Sequence, residues 1–228
     1  NETNTSYFVN SVGGYSAAKL RRYDDLINKY FNGGGDPNVL NMLNTKYVLV
    51  ADSTGIQPKE NPFANGAAWF VSELKVASTP NEEIDLISKV DNKKVAVIGK
   101  EDEKYFNGKT LQADPAAKIT IKTYQPNEIL YQTSSATPQL AVMSEIYYPH
   151  GWKFYIDGKQ TDYIKADYLL RAVHVPAGKH EIRMAFEPEV IQKGKAISLA
   201  SVGLFVLLAA LGFVFMNRKK QQAAKSEE

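Results

Sequence analysis

Apolar and polar positions follow two different rhythms along the chain before giving way to one unbroken apolar block. In the first part Leu20, Tyr23, Ile27, Tyr30 and Phe31 recur at spacings of three and four. That stripe predicts a helix from Ala17 to about Phe31, capped by Ser16, with Arg21, Arg22, Asp24, Asp25 and Lys29 mostly off the inward face. Asn32-Gly33-Gly34-Gly35 should end it with a left-handed glycine cap, and Asp36-Pro37 should open a second short helix running through Leu43. Lys46 to Ala51 is apolar enough to predict a buried strand. Asp52 to Gly66, with its prolines and glycines, reads as an exposed loop. Ala68 to Ala77 reads as one strand, Thr79 and Glu82 form a capping box for a helix through Val90, and Val95 to Ile98 is a further strand. Strands alternating with helices at this spacing give a small α/β layer.

From about Ala117 the period changes to two. Ile119 and Ile121, Leu140 and Val142, Trp152, Phe154 and Ile156, Val173 and Val175, and Ile182, Met184 and Phe186 alternate with polar neighbours. Turn chemistry separates them at Pro126-Asn127, Pro149-His150-Gly151, Asp157-Gly158 and Pro176-Ala177-Gly178. The fold class expected is therefore α+β: an α+β subdomain over 1–116, then an antiparallel, jelly-roll-like β-sandwich over 117–190. Ala196 to Met216 carries no charged side chain. As a helix it would span roughly 31 Å, close to the hydrocarbon thickness of a bilayer, so it predicts one transmembrane helix over 196–216. Glu187-Pro188 ends the last strand shortly before it, which would hold the sandwich low on the bilayer surface.

Basic residues on the two flanks set the expected orientation. Arg218, Lys219, Lys220 and Lys225 follow the block, against Arg183, Lys193 and Lys195 before it. The balance favours a cytoplasmic tail over 217–228 and an extracytoplasmic soluble part, with a tail-anchored cytosolic domain as the opposite topology. The chain starts at Asn1 with neither a basic n-region nor an apolar h-region. It is thus read as the C-terminal piece of a longer protein.

Composition narrows the chemistry. The absence of cysteine excludes disulfides, thiolate catalysis and zinc fingers. A net charge of +2 gives no concentrated basic face, so nucleic acid is not an expected partner. The 13 Tyr, 10 Phe and 2 Trp suit a β surface that binds glycan or protein, although such rings also build cores. Gly108-Lys109-Thr110 lacks the upstream glycine of a phosphate loop, since Glu103 stands there. His174 and His180 flank one turn without a third ligand, so no metal site is expected. Asp157, Asp162 and Asp167 lack the alternate oxygen ligands of a calcium loop; the first is assigned to a hairpin turn and the others to solvent. Asp24-Asp25 and Glu82-Glu83 are assigned to helix surfaces, and no catalytic residue is picked out.

Several stretches taken in order carry a family resemblance: Gly14-Tyr15, Lys19 to Tyr23, Asn41 to Tyr47, Asn61-Pro62, Ala68 to Val71, Tyr147-Tyr148-Pro149, Gly151-Trp152-Lys153, Asp157-Gly158, Arg171-Ala172-Val173 and Pro176 to His180. Together they resemble the C-terminal part of YfhO-type bacterial membrane proteins. The resemblance implies a polytopic protein similar to GT-C glycosyltransferases, which decorate envelope polymers from polyprenyl-phosphate sugars. Its catalytic acid would lie in an early loop outside this chain, so none of its catalytic residues carries over. The chain would then be an accessory extracytoplasmic domain with the last helix of an inner-membrane protein. Its implied partners are membrane lipid, upstream transmembrane helices of the same protein, and an envelope glycan or lipid-linked sugar, with no cofactor. If sugar binds here, Trp152 and Tyr155 are candidates for stacking, with Arg21, Arg22 and Tyr23 for gripping hydroxyls or phosphate. The plainer reading places Trp152 in the core and the arginines in ion pairs. An alternative from another class is a single-span, membrane-anchored surface module for adhesion or assembly, and a free-standing enzyme comes last.

Overall fold

A computed structural model describes residues 7, 9–13, 18–31, 35–53 and 55–225. The chain divides into two compact units, 1–186 and 187–228. Within the first unit, the head, α1 spans Arg21–Tyr30 and buries Leu26. It starts later than its apolar spacing predicts. Leu20 is extended, at φ −69° and ψ 127°, and already accepts from the Tyr23 and Asp24 N–H groups, while the predicted cap, Ser16, lies outside the described residues. Of the glycine run only Gly35 is described. It sits at φ +86°, where a Cβ would come within 2.8 Å of Leu40 Cδ1. The helix α2, Pro37–Met42, follows as expected, with the Asp36 carboxylate accepting from the Val39 N–H at 3.1 Å.

The next segment departs from the prediction. Strand β1 (Tyr47–Asp52) is not buried; among the described residues it pairs only with β2 (Gly55–Glu60), which lies in the expected loop, as an antiparallel hairpin. Tyr47, Leu49 and Ile56 are all more than half exposed. The strand expected over 68–77 breaks at Ser72 into β3 (Ala68–Val71) and β4 (Glu73–Ala77), which join different sheets. The helix α3 (Pro80–Leu86) carries the capping box: Thr79 Oγ1 accepts from the Glu82 N–H and the Glu82 carboxylate accepts from the Ser78 N–H. It links β4 to β5 (Val95–Gly99) in parallel, a small βαβ unit followed by a 3₁₀ turn over Lys100–Phe106.

Two antiparallel sheets form the rest of the head. One has the order β10-β9-β13-β7-β6, built from β6 (Lys118–Gln125), β7 (Glu128–Ser135), β9 (Trp152–Ile156), β10 (Lys159–Thr161) and β13 (Gly178–Phe186). The other has the order β11-β12-β8-β3, with β8 (Gln139–Ile146), β11 (Ile164–Ala166) and β12 (Leu170–Val175). The fold class is thus α+β with a sandwich, and β3, from before residue 117, lies at an edge of that sandwich. The four-stranded sheet is covered on both faces. Leu140, Val142, Leu170 and Ala172 pack with α1, α2, α3 and β5, while Ala141, Met143, Val173 and Val175 pack against Ile129, Tyr131, Phe154, Ile182 and Met184 of the larger sheet. That is why residues 139–143 of β8 are buried without alternation.

The second unit is one helix, α4 (Glu189–Lys225). Its segment Glu189–Met216 is long and apolar enough to cross a membrane, and no part of its apolar stretch is buried.

Candidate functional site

A groove of about 480 Å³ opens on the head between α1, the 3₁₀ turn, the end of β8 and β11. Arg21, Arg22 and Tyr23 line one side, Tyr147, Tyr148 and His150 form an aromatic wall, and Glu101, Asp102 and Lys165 bring charge. The start of α1 thus places three of the sequence candidates together.

Behind the groove lies a buried charge network that local sequence does not disclose. Glu83, assigned to a helix surface, is 1% exposed. Its Oε2 accepts from Arg22 Nη1 at 2.7 Å, and its Oε1 lies 3.3 Å from Lys165 Nζ. Lys165 reaches on to Glu101 at 3.2 Å and Asp102 at 3.9 Å. A buried carboxylate is tolerable only with such partners. Arg22 is also held by the carbonyl of Tyr168, at 3.0 Å, and its guanidinium lies 4.5 Å from the centroid of the Tyr168 ring. The Tyr168 hydroxyl donates to Asp25 at 3.1 Å.

The loop that presents these groups is strained. Asp167 and Tyr168 both take left-handed φ values, 48° and 71°, in the turn between β11 and β12. Asp167, assigned to solvent, is fully buried. Its Oδ1 accepts from the Val97 N–H at 2.8 Å, its own N–H donates to the Val97 carbonyl at 2.7 Å, and Oδ2 has no partner among the described residues. The pair ties the buried middle of β5 to the end of β11. Burial pushes the Asp167 carboxyl up to about 7, against the Val97 hydrogen bond and with help from the Glu83 charge.

At the groove itself two neighbouring carboxyls are driven apart. A hydrogen bond from its own backbone holds Glu101 below the usual range, aided by Lys165, whereas burial pushes Asp102 up. Glu101 is therefore a firm acceptor and Asp102 the readier proton donor. Burial also pushes Tyr23 up to about 12, and its hydroxyl donates to the carbonyl of Val12. Arg22 and Tyr23 are thus committed to the fold, while exposed Arg21 has no ion-pair partner among the described residues.

Trp152 and Tyr155 lie outside the groove. Trp152 packs against the inter-sheet core, 5.4 Å from Phe186, with the Arg171 guanidinium 4.1 Å from its ring. Arg183 lies over Tyr155 at 4.7 Å. His174 meets the Thr110 carbonyl and His180 meets Asp157, so the two histidines do not converge; among the described residues no His, Cys, Asp or Glu group forms a metal site.

Residues 89–198 match the family model described as bacterial membrane protein YfhO. Over that stretch the chain is similar to YfhO-type bacterial membrane proteins. The matched stretch is just under half of the 228 residues. It holds the acidic and aromatic parts of the groove, the strained loop and the first residues of the apolar helix, but not Arg21 to Tyr23. Neither the curated proteins nor the solved structures gave a match. Family and helix together make this a membrane protein.

Proposed function

We propose that the head of this YfhO-type chain is an accessory extracytoplasmic domain, serving a membrane-embedded transferase of envelope polymers and holding part of the acceptor glycan in its groove. The make-up of the groove carries the reading. Ring faces from Tyr147, Tyr148 and His150 suit the C–H faces of sugar rings, and Glu101 and Asp102 suit their hydroxyls. The three acids at and behind the groove are paired with Arg22 and Lys165, while Arg21, with no ion-pair partner among the described residues, is the cation placed to meet an anionic substituent such as a phosphate or uronate. In this reading the partners are membrane lipid, further membrane helices of the same protein, and the envelope glycan or a lipid-linked sugar.

Calorimetry on the full chain in lipid nanodiscs, titrated with phosphate-bearing and uronate-bearing oligosaccharides, tests it. Arg21→Ala and Tyr148→Ala should each weaken binding by about tenfold, the worth of one good contact, while Trp152→Phe leaves it unchanged. Failure of every such oligosaccharide to bind, or equal loss in all three variants, would remove the groove reading.

A further inference from the structure

The head holds a second concavity, of about 180 Å³, which shares no lining residue with the groove. That is the space of about six waters. Three distant stretches build it: Asn38 and Asn41 from α2, Phe63 and Asn65 from the segment after β2, and Asn92 from the turn before β5. Asn38 and Asn41 share a helix face because they stand three positions apart.

The cup is pinned in shape by its own amides. Asn61 Nδ2 donates to Asn41 Oδ1 at 2.8 Å and to the Thr45 carbonyl at 2.9 Å, and the Asn65 N–H donates to the Asn41 carbonyl at 2.9 Å. Asn38 Nδ2 donates to the Ser88 carbonyl at 2.8 Å, and the Asn92 carbonyl accepts from Trp69 Nε1 at 2.6 Å. Two amide atoms are left over. Asn65 Nδ2 and Asn92 Oδ1 are buried with no hydrogen-bond partner among the described residues; the other end of the Asn92 amide, Nδ2, donates to Met42 Sδ at 3.4 Å, and Asn92 as a whole is 4% exposed. Unsatisfied buried amides of this kind call for a partner. At the rim the Phe63 ring is 66% exposed, a large apolar face with no role in the core. Asp91, also on the lining, is already occupied: its carboxylate accepts from the Lys93 N–H at 3.1 Å and pairs with Lys94 at 3.4 Å.

We propose that this cup, where an exposed Phe63 ring stands over asparagine amides from three chain segments, binds a neutral sugar residue. Primary amides offer donor and acceptor side by side, as do the vicinal hydroxyls of a pyranose, and the aromatic ring matches its C–H face. A cationic ligand is disfavoured because the carboxylate on the lining, Asp91, is already occupied within the protein, and amides outnumber charges there four to two. The site stands independently of the groove and would take a different residue of the same kind of polymer.

Saturation-transfer NMR and calorimetry on the full chain in nanodiscs decide it, using neutral oligosaccharides of glucose, galactose, mannose and N-acetylglucosamine. At least one should bind. Phe63→Ala and Asn65→Ala should each weaken that binding by about tenfold, Phe63→Trp should preserve it, and Arg21→Ala should leave it within about twofold. The proposal falls if no neutral oligosaccharide binds at millimolar concentration, if only anionic ones do, or if Arg21→Ala abolishes binding that Phe63→Ala leaves intact. The last result would place the sugar in the groove instead.

Discussion

Asp167 combines full burial, a left-handed backbone and a carboxylate oxygen with no partner among the described residues, so its protonation state is tied to folding. Its carboxyl is raised to about 7 in the fold from an ordinary value of 3.8. The native state therefore holds the proton more tightly than the unfolded chain does. Below about pH 4 both states are protonated and the site carries no penalty; between about 4 and 7 the unfolded chain ionises first, and stability falls as pH rises. Asp167→Asn cannot ionise, keeps an oxygen for the Val97 N–H, and tolerates positive φ. Thermal melts of the full chain in mild detergent should show the variant gaining on the native protein from pH 4.5 to 7.5. An equal difference at both pH values would contradict the role given to this carboxyl. Such a site was not legible in the sequence: Asp167 and Glu83 read there as solvated acids, because Val97 is 70 positions from the first, and Arg22 and Lys165 are 61 and 82 positions from the second. Arg21 to Tyr23 could be picked out, since clustered arginine and tyrosine declare themselves locally.

Elements that use one local signal were read well, and those decided by sheet neighbours were not. The α2 cap, the α3 capping box and the βαβ connection each follow from a few adjacent residues. β7, inside the larger sheet, escaped because its buried row is Ile129, Tyr131, Thr133 and Ser135, and its Thr and Ser look polar. β1 failed in the opposite sense: its apolar run mimics a core strand, yet among the described residues it pairs only with β2. The two kinds of strand should differ sharply under substitution. Leu49→Ser or Ile56→Ser, at exposed hairpin positions, should change stability by no more than about 0.5 kcal/mol. Ile98→Ala in β5, at a fully buried position, should cost about 3 kcal/mol. Urea unfolding in mild detergent checks this, and a hairpin variant as costly as Ile98→Ala would mean that the hairpin face is covered in the whole protein.

At the scale of the whole molecule the open proposition is which side of the membrane the head occupies. The apolar helix and the similarity to the family support a place in a membrane; the helix was legible because a long uncharged run needs no tertiary context, and the resemblance because ordered short stretches carry it. Sidedness rests on a finer balance: Arg218, Lys219, Lys220 and Lys225 after the span against Arg183, Lys193 and Lys195 before it. The chain has no cysteine, so one introduced thiol is the only reactive one in it. Lys159 starts β10 after the Asp157-Gly158 turn and is exposed, and substitution at such a position leaves the fold within about 0.5 kcal/mol. In intact cells a membrane-impermeant maleimide should label Lys159→Cys and should label Lys220→Cys only after permeabilisation. The reverse pattern would put the groove in the cytosol, away from any envelope polymer. It would then remove the acceptor role while leaving the asparagine cup's sugar chemistry to be judged on its own binding data.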